Sequence, residues 1–92
     1  MSVCVERLEI TNKRGLHARA SARFVSMVAD LPEGVAVTVR KDGMEAAGGS
    51  ILGLMMLGAA KGDTIEIEVS GDGADGALNT LATLVRDRFG EE

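Results

Sequence analysis

From Thr64 to Val69 the chain reads Thr-Ile-Glu-Ile-Glu-Val, with Ile65, Ile67 and Val69 set against Glu66 and Glu68. Side chains alternate across a strand, so this segment has one face for a core and one for water. The pattern recurs twice. Val35, Val37 and Val39 oppose Ala36, Thr38 and Arg40; within 3–10, Cys4, Leu8 and Ile10 share the face away from Arg7 and Glu9. Cys4 reads as a small core residue rather than a reactive thiol. One-sided strands make a sheet with one wet side and all helices on the other, which predicts an α+β two-layer sandwich.

The helices follow from spacing. After His17 the residues favour helix, and Ser21, Phe24, Val25 and Val28 fall on one buried stripe. Asp30-Leu31-Pro32-Glu33-Gly34 ends that helix, because proline disfavours helical geometry at the residue before it. Lys41-Asp42-Gly43 predicts a hairpin turn returning through a short strand over 44–47. Ser50 is an N-cap for a helix over 51–57 that closes at Gly58. Nearly every residue of that helix is apolar, and a two-turn helix on a sheet hides only about half its circumference. Leu54 and Leu57 are therefore assigned inward, and Ile51, Leu52 and Met55 outward as a protein-docking surface. Ala74, Ala77, Leu78, Leu81, Leu84, Val85 and Phe89 recur at helical spacing, leaving Gly90-Glu91-Glu92 as a frayed tail. The expected order is β-α-β-β-α-β-α in one domain spanning 1–92.

Composition narrows the function. A hydrophobic fraction of 46% with 26% charged residues is ordinary for a soluble globular chain. No apolar run reaches the ~20 residues of a membrane span, and no signal-peptide core begins the chain, so a cytoplasmic protein away from membranes is expected. One cysteine and one histidine supply neither a disulfide nor a zinc set. No metal or cofactor is expected. A net charge of −4 without Trp or Tyr argues against nucleic acid.

Against that acidic background one stretch stands out. Lys13, Arg14, Arg19 and Arg23 surround His17, and no Asp or Glu occurs from Thr11 to Ala29, although acids outnumber bases fourteen to ten overall. His17 is expected at or just before a helix start, where unpaired backbone N–H groups and the helix dipole favour an anion. An imidazole nucleophile, cations and open amides together make a place for a phosphoryl group.

Gly15-Leu16-His17-Ala18-Arg19, and Ser50-Ile51-Leu52-Gly53-Leu54-Met55-Met56-Leu57 followed by Ala60-Lys61-Gly62-Asp63, resemble HPr, the histidine-containing phosphocarrier of the phosphoenolpyruvate-dependent phosphotransferase system. The resemblance covers nearly the whole chain. It implies an open-faced β-sandwich, a four-stranded antiparallel sheet with three helices on one face. His17 then matches the phosphorylated histidine, which takes its group on Nδ1 from enzyme I and passes it to a histidine of an enzyme IIA-type protein. Arg19 matches the neighbouring arginine. Ser50 matches the serine that a dedicated kinase modifies in many relatives. The family's proline after that arginine is Ala20 here, which gives up a fixed φ and gains an amide donor. This Arg-Ala-Ser variant, preceded by Asn12-Lys13-Arg14, looks like the NPr-type carriers of nitrogen-related relays.

An N–P bond to imidazole can be made and broken nearly reversibly, which suits a relay rather than a stand-alone catalyst. His17 and Arg19 are the reacting pair, with Ala18, Arg19 and Arg23 supporting the phosphoryl group and Ala20, Ile51, Leu52 and Met55 facing partners. The chain is expected to be a monomer. An alternative is a non-phosphorylated regulatory module that binds a protein through the apolar helix 51–57. An anion-binding small-molecule domain of ferredoxin-like topology is a third, for which the residues offer no polar constellation beyond the one loop.

Overall fold

The computed structural model describes residues 2–91. Strand β1 (Val3–Glu9) is followed by helix α1 (Ala18–Ala29), the hairpin of β2 (Ala36–Lys41) and β3 (Met44–Ala47), helix α2 (Ile51–Met56), strand β4 (Thr64–Ser70) and helix α3 (Ala74–Arg86), with a short 3-10 turn at Arg88–Gly90. The sheet order is β1-β4-β2-β3, antiparallel at every pairing. In register, Leu8 sits opposite Ile65 and Val39 opposite Ile67. The predicted four-stranded open-faced sandwich is therefore the fold observed.

Its core lies between the sheet's apolar face and the helices. Val37, Val39, Ile65, Ile67 and Val69 meet Ala20 and Phe24 of α1, Leu54 and Leu57 at α2, and Ala77, Leu81 and Val85 of α3. On the open face Arg40 hydrogen-bonds Glu45 at 2.7 Å and Glu68 at 2.9 Å, bonds that push its pKa further up despite some desolvation. Cys4 is half-buried against the core and donates its thiol to Asp75 Oδ1 at 2.6 Å. That hydrogen bond, with burial and the charge of Asp75, raises the thiol pKa, which makes it a poor nucleophile at neutral pH. Among the described residues no helix is long and apolar enough to cross a membrane.

One expectation is corrected. Phe89 does not continue the α3 stripe: the helix ends at Arg86, and Arg88, Phe89 and Gly90 adopt left-handed φ of 57°, 55° and 74°. This reversal swings the ring back into the core, where it is fully buried. A straight helix would have carried the chain end away from α1.

The loop carrying His17 is fixed by a close approach. Gly15 has φ +63°, and a Cβ there would lie 2.2 Å from the carbonyl oxygen of Ala59, which also accepts from Leu16 N at 2.9 Å. Gly15→Ala is expected to cost at least ~1–2 kcal/mol from left-handed geometry alone, before any displacement of the loop from Ala59. Urea unfolding compared with wild type checks this.

Candidate functional site

His17 is the N-cap of α1, with extended backbone at φ −73°, ψ −179°. Its Nδ1 accepts from the Arg19 amide at 3.3 Å, and its carbonyl accepts from Ser21 N at 2.9 Å. Asn12 and Ser21, both fully buried, brace the loop from beneath. Asn12 Nδ2 donates to Gly15 O at 2.8 Å, and Ser21 Oγ donates to Leu16 O at 3.2 Å. The amides of Ala18, Arg19 and Ala20 belong to the first turn, where a helix supplies no internal acceptor.

The other ring nitrogen, Nε2, lies 2.5 Å from Glu91 Oε2. Glu91 Oε1 accepts from Asn12 Nδ2 at 3.0 Å, so one carboxylate touches both the loop and the ring. Arg23 donates to the carbonyl of Phe89, just ahead of it. The expected frayed tail is thus corrected for Glu91, which buried Phe89 and the Arg23 clip hold in place; Glu92 lies outside the described residues. Burial pushes the Glu91 carboxyl up, but hydrogen bonds from Asn12 and His17 and the nearby charges of His17 and Arg23 outweigh it and hold it below the usual range.

Arg19 is exposed at the helix start, and its guanidinium makes no ion pair among the described residues. Arg23 sits one turn further on with its guanidinium engaged by the tail, so its observed contact is to protein rather than to an open anion site. Ala20 corrects a third expectation. It is fully buried, because it stands on the same α1 stripe as Ser21 and Phe24, and it offers no surface to a partner.

Ser50 caps α2 as expected, its Oγ accepting from Gly53 N at 2.9 Å. Leu54 and Leu57 point inward, while Ile51, Leu52 and Met55 are 41%, 67% and 40% exposed. Met56, at 66%, extends this apolar surface beyond the residues assigned outward. The loop after α2 packs on Gly15 and Leu16, which places the patch beside the His17 loop. Among the described residues no group of His, Cys, Asp and Glu could hold a metal.

Residues 5–87 match the family model described as the PTS HPr component phosphorylation site. The chain belongs to the HPr family. It is 44% identical over 86 residues to the phosphocarrier protein HPr of Neisseria meningitidis, covering 94% of each chain. It is 35% identical over 88 residues to the phosphocarrier protein NPr of Escherichia coli K12, covering 95% of this chain and 96% of that one. Among solved structures, HPr-C-His from Thermoanaerobacter tengcongensis superposes with a TM-score of 0.86 at 35% identity, covering 100% of this chain and 99% of that one. An HPr-family phosphocarrier of the phosphotransferase system is thus shown, with relatives that carry both the HPr and the NPr name.

Sequence reasoning missed Glu91 and Asn12. Glu91 carried no signal, since it acts through contacts more than seventy residues distant along the chain; Asn12 meets Glu91 across the same distance and also bonds the nearby Gly15 carbonyl. The depressed carboxyl gives a testable sign. A glutamate whose pKa is lowered on folding adds stability above its unfolded value and loses it as pH falls through the folded value. Wild type should therefore exceed Glu91→Gln in unfolding free energy at pH 7, and the difference should vanish on acidification below the Glu91 pKa. Thermal unfolding of both proteins across pH 2–7 measures it.

Proposed function

We propose that His17 is the residue that carries the phosphoryl group, receiving it from phosphorylated enzyme I and passing it to a histidine of an enzyme IIA-type protein. The observation carrying this reading is the ring's placement as N-cap of α1, with Nδ1 turned to the helix-start amides and Nε2 occupied by Glu91. The Nδ1 lone pair forms a bond to phosphorus as the donor's N–P bond breaks and its electron pair returns to the donor nitrogen. The Arg19 amide, which holds Nδ1 in the free protein, then has a phosphoryl oxygen to serve instead. The other first-turn amides and the exposed Arg19 guanidinium add favourable charge, the helix start as a whole being worth ~0.3–1 kcal/mol to an anion at this exposure. Such shallow stabilisation suits a carrier, because a deep phosphate site would retain the group.

Docking is assigned to the apolar surface of α2, with Ile51, Leu52, Met55 and Met56 beside the basic loop. Methionine adapts to differing partners, as a carrier with a donor and an acceptor requires. Ala20 and the Asn12-Lys13-Arg14 run favour a nitrogen-type regulatory relay over sugar uptake. Ser50 is a regulatory phosphorylation site in this reading, since a phosphate there suits the start of α2 electrostatically yet sets negative charge beside the apolar surface.

Incubation with phosphoenolpyruvate and a cognate enzyme I should add an acid-labile, base-stable phosphoryl group, detected by intact mass, and His17→Ala should abolish it. A wild-type chain that stays unmodified favours the non-phosphorylated docking module. Leu52→Glu should weaken enzyme I binding by about tenfold or more while leaving the melting temperature within about 2 °C, as calorimetry of both properties can measure. Ser50→Asp should preserve α2, since Asp caps as well as Ser, and should weaken the same binding.

A further inference from the structure

The C-terminal tail is held against His17 at a conformational cost. Arg88 and Phe89 are non-glycine residues in left-handed geometry, a state that disfavours L side chains and persists only where surrounding contacts impose it. Those contacts are the buried Phe89 ring, the Arg23 hydrogen bond to its carbonyl and the Asn12 hydrogen bond to Glu91. Their joint effect is to bring a carboxylate to the one face of the imidazole that the helix start leaves unoccupied.

The two ring nitrogens consequently meet partners of opposite kind. An amide N–H can only donate, so Nδ1 must present its lone pair to Arg19. An ionised carboxylate can only accept, so Nε2 must carry the proton. We propose that Glu91 is a positioning residue for phosphoryl transfer: it commits the ring to the Nε2–H tautomer and keeps that proton in place while Nδ1 is phosphorylated. The proposal rests on His17 being the phosphoryl carrier.

The electron count gives the carboxylate its task. When the Nδ1 lone pair bonds to phosphorus and the Nε2 proton stays, the ring acquires a formal positive charge. Arg19, Arg23, Lys13 and Arg14 would oppose that charge, and Glu91 at 2.5 Å is the group that offsets it. Onward transfer returns the N–P electrons to Nδ1. A ring still protonated at Nε2 receives them as a neutral imidazole, whereas one that has lost the proton must leave as an imidazolate, a far poorer leaving group. Glu91 thus keeps the phosphorylated ring ready to surrender its cargo without any proton changing hands in either step.

The test pairs a spectroscopic readout with a kinetic one. Imidazole 15N spectra of the neutral ring report the tautomer directly. Wild type should have a protonated Nε2 and a bare Nδ1, and Glu91→Ala should move the ring toward a mixture, with unchanged amide spectra of the sheet as the folding control. Glu91→Gln, whose side-chain oxygen can accept in the same place, should restore the tautomer but slow transfer from phosphorylated His17 to the acceptor by about tenfold, the charge being gone. Wild-type tautomer populations in Glu91→Ala, or wild-type transfer rates in Glu91→Gln, would overturn the proposal. Because the tautomer is read without any donor protein, a chain that takes no phosphate would remove the carrier reading and leave the hold of Glu91 on the ring to be judged by the 15N spectrum.

Discussion

A single imidazole joins the beginning and the end of this chain. The His17 ring caps the first helix through Nδ1 and meets a carboxylate from the last turn through Nε2. Everything that places it is backbone or buried polar structure: the left-handed Gly15, the Asn12 amide, the Ser21 hydroxyl and the Ala59 carbonyl. An exposed side chain on a mobile loop would spread over many rotamers. Here both ring nitrogens have partners before any phosphate arrives, so little ordering remains to be done at the moment of transfer.

Charge is distributed by layer. The acids of β3 and β4 gather with Arg40 on the open face of the sheet, where water screens them and their ion pairs add little stability. The His17 loop keeps its cations, and among the described residues a single acid pairs with it, from the far end of the sequence. Next to it, α2 exposes apolar side chains because Leu54 and Leu57 alone satisfy the core beneath. A basic rim beside an apolar surface suits docking: the charge speeds encounter, and desolvation of the apolar residues supplies the binding.

The sheet and its helices were legible from sequence because their signals are local. Alternation in 64–69 and the spacing of Phe24 with Ser21 determine which face is buried, whatever lies elsewhere in the chain. The same logic read Ser50 as a cap and His17 as a helix start. It failed where the outcome depends on a distant contact. Phe89 fits the α3 spacing in sequence, yet burying its ring behind α1 outweighs another turn of helix. Glu91 looked like tail for the same reason. Ala20 was assigned to the partner-facing surface, although one step around the helix from exposed Arg19 is enough to enter the core.

The central claim is that Nδ1, and not Nε2, is the nitrogen offered for phosphorylation. Correlated 1H, 15N and 31P spectra of the protein phosphorylated with enzyme I and phosphoenolpyruvate locate the phosphorus–nitrogen bond. The account predicts coupling of phosphorus to Nδ1 with a protonated Nε2. A phosphoryl group bonded to Nε2, in the place where Glu91 now sits, would contradict it.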